Sequence, residues 1–262
     1  MPDGEIDLAD AALQLARIGE PEADWQAARA HLSEIARDAA DIAAEHPDKD
    51  LQSRAEALSG LMVGRYGYVG DTETYEDLDN ANLIRVIERR RGLPVALGIL
   101  WLHAATAAGW PARGVNFPGH FLIVLEGSNG LLPVDVFAGG AVLNREDLRT
   151  LLKRALGAKA EPGPGMLEPM GSRDVLLRLQ VNIKARLQLH GQLTAAVACT
   201  EDMLRFAPNE AQLWREAAQM HQRLDHFAAA LQCFEKFLEL VPTGPAATRA
   251  RAAARELRAK LN

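Results

Sequence analysis

Residues 114–121 read GVNFPGHF, and they lead into an apolar segment at 119–126, GHFLIVLE. A second apolar segment follows at 131–137, LLPVDVF. Both segments are short and rich in branched side chains, and the residues between them, 127–130, are Gly, Ser, Asn and Gly. Short branched segments separated by turn-forming residues predict two antiparallel strands joined as a β-hairpin.

His120 lies on the first predicted strand and Asp135 on the second. If the hairpin loop is 127–128, paired residue numbers sum to 255, and His120 lies directly opposite Asp135. If the loop is centred on Asn129-Gly130, the sum is 259, which keeps both side chains on one face but separates them along the strands. Both registers predict a shared face, and we expect the imidazole and the carboxylate to approach within hydrogen-bonding distance.

An apolar helix is predicted upstream of the hairpin, over 94–108, because Pro94 is tolerated in a first helical turn. A helix, a histidine strand and an aspartate strand follow one another in this order in thiol proteases and transglutaminases. In their chemistry, the helix dipole lowers the pKa of a cysteine at the N-terminus of the helix. The histidine accepts the thiol proton, and the aspartate orients the imidazole.

The same part of the chain carries a family resemblance. Residues 80–94, which end in VIERRRGLP, and residues 114–121 resemble the SirB-type bacterial transglutaminase-like proteins that carry C-terminal tetratricopeptide repeats. The resemblance extends over most of the chain, and the run GVNFPGHF is its most specific part. It implies that His120 and Asp135 are the histidine and the aspartate of the family's triad.

The nucleophile of that triad has no counterpart in this chain. Counting two residues past Gly92, as the transglutaminase core does for its cysteine, leads to Pro94, and two further residues lead to Ala96. Neither side chain can attack a carbonyl. The only thiols, Cys199 and Cys233, lie far downstream, and we expect neither to lie near the histidine. The triad is therefore predicted to be vestigial.

The C-terminal third of the chain repeats with a period of 34 residues, which separates Pro208 from Pro242 and Cys199 from Cys233. This period resembles the tetratricopeptide repeat, in which pairs of helices stack. We interpret the two cysteines as small apolar residues packed between helices, and the last helix as a cap on the stack. The predicted helices cover 176–190, 193–206, 210–224, 227–240 and 245–261.

Together these patterns predict an α+β fold class. A helical N-terminal region precedes a core of the transglutaminase or papain type, in which a central helix packs on a small antiparallel sheet, and an all-α repeat domain follows. The predicted domains are 1–79, 80–157, a Gly/Pro linker at 158–173, and 174–262. The other predicted helices cover 5–18, 22–45 (ended or bent at His46-Pro47-Asp48), 50–63, 80–91 and 144–156 (capped by Asn144).

Charge and composition exclude several classes of function. Residues 1–177 carry 17 basic and 27 acidic residues, a balance of −10, whereas residues 178–262 carry 12 and 8, a balance of +4. An acidic body argues against nucleic-acid binding. No apolar run approaches the roughly 18 residues of a membrane span. The acidic, amphipathic N-terminal segment is not the pattern of a signal peptide, so we expect none. With two cysteines that cannot form a disulfide framework, we expect a cytoplasmic protein without a membrane partner.

Two charged motifs are candidate binding sites. Residues 71–79, DTETYEDLD, suggest a calcium loop, but Tyr75 occupies a ligand position and Glu76 the position that requires glycine. A solvated acidic loop is the preferred interpretation. The run 89–91, three arginines, is interpreted as a solvated helix end, with an anion site as the alternative. No metal or cofactor is predicted.

Three functions follow from these patterns. The preferred one is a non-catalytic regulatory or scaffold protein that binds a peptide or protein partner through its repeats. The second is a hydrolase or amide-transfer enzyme that uses His120 and Asp135 with water or an unidentified nucleophile. The third is a structural subunit that associates through its N-terminal helices. The last helix either selects an acidic partner or serves as a soluble cap, and its arginines are Arg249, Arg251, Arg255 and Arg258.

Overall fold

The structure is a computed structural model that describes residues 2–45, 50–128, 130–163 and 165–261. The chain divides into two compact units, the first ending at Leu179 and the second beginning at Gln180. The strands are β1 (Val69–Gly70), β2 (Arg91–Gly92), β3 (Ala112–Val115), β4 (Leu122–Gly127), β5 (Gly130–Asp135) and β6 (Ala141–Val142). The helices are α1 (Leu8–Gly19), α2 (Trp25–Glu45), α3 (Leu51–Ser59), α4 (Leu83–Arg89), α5 (Pro94–Ala107), α6 (Arg145–Leu156), α7 (Ser172–Leu189), α8 (Leu193–Phe206), α9 (Ala211–Arg223), α10 (Phe227–Leu240) and α11 (Pro245–Leu261).

The N-terminal helices lie close to their predicted positions. α3 ends earlier than predicted, because the chain continues as a π-helix over Gly60–Arg65. Asn144 caps α6 as predicted, and Asp147 completes a capping box with it. The predicted end of the second helix at 46–48 lies outside the described residues. Within the predicted linker, Pro169 forms a β-bridge with Val115.

The centre of the first unit is α5, which is buried on every side. Of its fourteen residues, eleven are buried, so the helix has no polar face to present to solvent. It packs against α2 on one side and against β3 and β4 on another. The antiparallel sheet has the order β3-β4-β5-β6. A central helix on a small antiparallel sheet confirms the predicted α+β fold class.

The register of the β4–β5 hairpin differs from both predicted registers. Ile123 pairs with Val134 and Gly127 with Gly130, so paired residue numbers sum to 257 rather than 255 or 259. Ser128 follows β4, and Asn129 lies outside the described residues. The observed register differs from each predicted register by two residues. Because side chains alternate with a period of two, each side chain stays on its predicted face of the sheet.

The three arginines at the end of α4 pair with residues of their own unit. Arg91 is exposed, as predicted for a solvated helix end, whereas Arg89 and Arg90 are half-buried. Arg89 lies 3.2 Å from Asp71, and Arg91 lies 3.1 Å from Glu73. Asp71 is only 1% exposed, whereas residues 72–76 of the predicted acidic loop are exposed, as predicted. The helix stops before residue 91 because Arg90 adopts a left-handed backbone, with φ 57°.

Arg90 is held in that conformation by a buried polar cluster. Its guanidinium donates to the Tyr68 hydroxyl at 2.6 Å and contacts Nε2 of His31, while its carbonyl accepts from the Val69 amide. Because a guanidinium can only donate, Nε2 of His31 must be the unprotonated nitrogen. Nδ1 then carries the proton and donates to Glu34 at 3.0 Å.

The second unit contains the predicted helices, α8 to α11, together with the C-terminal part of α7. Cys199 and Cys233 are both buried free thiols, and burial raises the pKa of Cys199 to about 12 and that of Cys233 to about 11. Ala196 and Ala230, which are 34 residues apart, are completely buried. This arrangement confirms the stacked helical repeats.

The division into two units leaves the finer predicted boundaries, 1–79, 80–157 and 158–173, as predictions. Over the described part of the chain, none of the helices combines the length and the hydrophobicity that a bilayer crossing requires.

The buried cluster around Arg90 predicts an acid-sensitive stability. Burial is the main cause that lowers the pKa of His31, and Arg90 adds to it, while the hydrogen bond to Glu34 opposes it. The unfolded chain therefore binds a proton below about pH 6.5 that the folded chain resists. We expect the free energy of unfolding to fall as the pH drops from 7 to 5. Urea unfolding at several pH values measures it, and His31→Gln should flatten the dependence. An equally steep decline in that variant would contradict this origin.

Candidate functional site

His120 lies in a turn that precedes β4, not on the strand as predicted. Its amide donates to the Phe117 carbonyl at 2.9 Å, and Gly119 has φ +68°, which a strand cannot contain. A β-carbon at Gly119 would lie 2.9 Å from the Cβ of Ala155 in α6. The turn therefore requires glycine for its backbone conformation and for the close approach of α6.

The residue after the histidine anchors this turn in the core. Phe121 is 1% exposed, and its ring lies between Gly98 of α5 and Gly114 of β3. A β-carbon at Gly98 would come within 2.3 Å of the Phe121 ring, and one at Gly114 within 2.8 Å. The two glycines thus leave room for the Phe121 ring. Because the ring is packed there, the position of the neighbouring His120 is fixed as well.

Asp135, the last residue of β5, makes contacts in two directions. Oδ2 lies 2.9 Å from Nε2 of His120, so the predicted hydrogen bond between the two side chains is present. Oδ1 accepts from the backbone amides of Phe137 at 3.0 Å and Ala138 at 3.1 Å. The carboxylate therefore closes the turn after β5 while it orients the imidazole.

The carboxylate also fixes the tautomer of His120. A carboxylate accepts hydrogen bonds, so Nε2 carries the proton in the neutral imidazole and Nδ1 keeps its lone pair. None of the hydrogen bonds among the described residues reaches Nδ1, and the His120 side chain is 18% exposed. This is the arrangement of a general base that could accept a proton from water or from a hydroxyl group.

Residues that the sequence did not indicate surround this pair. Arg178 of α7 donates to the His120 carbonyl at 3.1 Å and to Oδ1 of Asn116, and burial lowers the pKa of its guanidinium. The Tyr75 ring meets the Phe137 ring edge-on, with centroids 5.9 Å apart. Arg178 is 58 residues from the histidine, so no local pattern could have revealed it. Phe137 follows Asp135 by two residues, so the sequence places it next to the predicted aspartate.

A cleft of about 500 Å³ lies beside the His120 turn. It is formed by the loop after Val115 and by residues 165–170, which lie in the predicted linker. Its lining side chains include Asn116, Pro118, Met166, Glu168, Asp174 and Leu177. The walls of the cleft are thus mixed apolar and polar.

The N-terminus of α5 offers no nucleophile. Pro94 is its first residue and is buried, and Ala96 is completely buried. The first two turns, residues 94–100, read PVALGIL and contain no hydroxyl or thiol. Where the structure describes the chain, His, Cys, Asp and Glu side chains also form no group of three or more that could hold a metal ion.

Comparison with known proteins agrees with this geometry. The sequence model of the transglutaminase-like superfamily matches residues 26–181, and that of the tetratricopeptide repeat matches residues 183–255. The chain belongs to the transglutaminase-like superfamily, in the group of relatives named UPF0162 and SirB1. The matched region includes His120 and Asp135, and the resemblance to SirB-type proteins is confirmed.

Individual relatives match most of the chain. A UPF0162 protein of Vibrio cholerae is 30% identical over 243 residues, which cover 92% of this chain and 89% of the relative. A UPF0162 protein of Xylella fastidiosa is 31% identical over 190 residues, 71% of this chain and 68% of the relative. Protein SirB1 of Salmonella typhimurium is 25% identical over 197 residues, 75% and 73%. Among solved structures, menin aligns with 97% of this chain and 66% of its own at 11% identity, but its TM-score of 0.41 is too low to establish a shared fold.

The two roles of Asp135 predict an order of stability. Asp135→Ala removes three accepted hydrogen bonds from a buried carboxylate, and we expect it to lower the free energy of unfolding by about 2–4 kcal/mol. Asp135→Asn keeps an oxygen for the two backbone amides and should cost about 1 kcal/mol. His120→Ala should cost less than about 1 kcal/mol, because its side chain is partly exposed. Chemical denaturation ranks the three variants. Equal losses for His120→Ala and Asp135→Ala would show that the imidazole contact alone matters.

The space around Phe121 predicts an effect of a single methyl group. Gly98→Ala forces the Phe121 ring to move, and we expect a loss of about 1–3 kcal/mol in the free energy of unfolding. Gly60→Ala is the matched control, because Gly60 has helical backbone angles, φ −58° and ψ −39°, and no atom within 4 Å of its added β-carbon. That change should be neutral or stabilising by up to about 1 kcal/mol. A stable Gly98→Ala variant would contradict the tight packing.

Proposed function

We propose that this protein is a non-catalytic member of the transglutaminase-like superfamily that acts in the cytoplasm as a regulatory or scaffold protein by binding a peptide or protein partner. One observation carries the proposal: the His120–Asp135 hydrogen bond is present at 2.9 Å, whereas Pro94 and Ala96, at the positions where the family resemblance predicts the cysteine, carry no thiol. The base and its orienting carboxylate are present, and the group that they would activate is missing.

The energetics of such sites support a loss of catalysis. Removing the nucleophile from a catalytic triad costs several orders of magnitude in rate. Asp135 accepts hydrogen bonds from the backbone amides of Phe137 and Ala138. These bonds stabilise the fold, so the carboxylate has a structural role that does not depend on catalytic turnover. The cleft lined by Asn116 and Pro118 lies next to the turn that carries His120, and a partner's backbone could bind there.

The repeats supply a second binding surface. A groove of about 520 Å³ lies between α7 and α9 and presents the amides of Gln188, Gln219 and Gln222 beside Arg223. Side-chain amides both donate and accept hydrogen bonds, so they suit an extended peptide backbone. A second groove of about 490 Å³, against α8, α9 and α10, contains Lys236. The two buried, unoxidised thiols are consistent with a reducing compartment.

A hydrolase or amide-transfer enzyme is the second candidate, and one observation favours it. Nδ1 of His120 keeps a lone pair and its side chain is partly exposed, so the pair could deprotonate water that then attacks a bound amide or ester carbonyl. The proton would pass from water to Nδ1, and then to the leaving amine or alcohol as the bond between the carbonyl carbon and the leaving nitrogen or oxygen breaks. This reaction requires no side-chain nucleophile.

Partner capture by the intact protein tests the proposal. The wild type and four variants would be immobilised and exposed to a bacterial lysate: Arg223→Glu and Lys236→Glu in the two repeat grooves, His120→Ala at the turn, and Arg37→Glu on the exposed face of α2 as control. We expect at least one groove variant to lose a captured protein that Arg37→Glu retains, because charge reversal disrupts complementarity. Equal capture by all five proteins would contradict binding through the repeats.

Turnover separates the two candidates in the same set of proteins. Peptides containing glutamine and simple esters would be incubated with the wild type and with His120→Ala. The proposal requires no release of ammonia or acid above the rate in buffer. Release that disappears in His120→Ala would instead establish the hydrolase.

A further inference from the structure

One edge of the antiparallel sheet is only partly covered. β3 is the edge strand, and Ala112 to Val115 pair with β4 on one side only. The Glu126 amide donates to the Pro111 carbonyl at 2.8 Å, so Pro111, and by alternation Arg113, direct their backbone groups toward β4. Ala112 and Gly114 therefore direct theirs outward, away from the sheet.

The protein covers the far half of this edge with its own chain. The Met170 amide donates to the Gly114 carbonyl at 2.8 Å, and Val115 forms an antiparallel bridge with Pro169. This pairing stops at Gly114. Among the hydrogen bonds of the described residues, none reaches the outward N–H or C=O of Ala112. An edge with open backbone groups is a template for another extended chain.

A cleft lies against the uncovered half of the edge. Its volume is about 680 Å³, and all of its walls belong to the first unit. The open strand forms one wall, and the C-terminal half of α5 and the N-terminal segment form the others. Its lining side chains include Ile6, Leu8, Leu102, Thr106, Trp110 and Val175.

The charges at the rim of the cleft are mostly negative. Glu5 and Asp7 line it, and both residues are exposed. Arg113 also lines the cleft, but its guanidinium lies 3.9 Å from the Glu126 carboxylate of β4, which offsets its charge. A basic side chain in an occupant would therefore meet two carboxylates at this rim, those of Glu5 and Asp7. Oδ1 of Asp7 also accepts from the Asp10 amide, as the N-cap of α1.

We propose that the cleft binds an extended peptide segment of a partner protein, which adds to β3 as an antiparallel or parallel strand. The occupant's backbone pairs with Ala112, its apolar side chains contact Leu102 and Trp110, and a lysine or arginine pairs with Glu5 or Asp7. This mode of recognition takes its affinity from main-chain hydrogen bonds and its specificity from the side-chain contacts. The site is separate from the His120 turn and from the repeat grooves, so it does not depend on the proposed function.

A pair of substitutions at one residue isolates the backbone contact. Ala112→Pro removes the outward N–H but no hydrogen bond to β4, and proline is tolerated on an edge strand in this orientation. Ala112→Val keeps the N–H and is the matched control. Melting temperatures of both variants verify that they fold.

The probe is a degenerate library of nine-residue peptides, acetylated and amidated at their ends, with a fixed central lysine, and a second library with a central glutamate. We expect the full-length protein to enrich sequences only from the lysine library. Synthetic copies should bind the wild type and Ala112→Val equally well and Ala112→Pro at least about tenfold more weakly. Copies with N-methylated backbone amides should lose binding to the wild type by a similar factor.

Hydrogen exchange gives a readout that needs no variant. The Ala112 amide should exchange fast in the free protein, while the Arg113 amide is protected, and an enriched peptide should slow the exchange at Ala112. Enriched peptides that bind Ala112→Pro and the wild type equally, a library that yields no binder, or an Ala112 amide already protected in the free protein would each overturn the proposal.

Discussion

The Asp135 carboxylate is the constraint on which the site and the end of the sheet both depend. It accepts from the amides of Phe137 and Ala138 and from Nε2 of His120. One buried charge thereby closes the turn beyond β5 and sets the tautomer of the imidazole. Burying a carboxylate is unfavourable unless its oxygens are hydrogen-bonded, so the protein cannot lose these donors without cost. A catalytic arrangement can therefore persist as a structural one after the nucleophile is absent.

The central helix is a second constraint on the site. α5 is buried on all sides, and Gly98 admits the Phe121 ring that anchors the His120 turn. Pro94 and Ala96 fit that apolar environment, whereas an ionised thiol would require a polar opening. The first unit thus keeps the transglutaminase-like fold and the His120–Asp135 pair, while its central helix forms the core. In the non-catalytic function that we propose, the clefts of the first unit and the repeat grooves are the surfaces that bind a partner.

Strong periodicity made most of the fold predictable, and tertiary contacts decided the rest. The α5 helix, the hairpin, the 34-residue repeats and the contact between His120 and Asp135 followed from local pattern and resemblance. The register did not, because a two-residue shift preserves the apolar face and only the turn chooses between alternatives. The turn at Gly119 is dictated by the approach of Ala155, and the end of α4 by the contacts of Arg90 with Tyr68. Such causes lie tens of residues away in sequence, as does Arg178.

The central claim, that no group in this site can accept an acyl chain, is tested most directly by the mass of the intact protein after exposure to an activated acyl ester. Transglutaminases and thiol proteases form an acyl-enzyme at their cysteine. If the site lacks a nucleophile, we expect the same mass distribution for the wild type and for His120→Ala, with no adduct that depends on the imidazole. A single stoichiometric acyl adduct in the wild type, absent from His120→Ala, would show that the site retains a nucleophile and would contradict the account.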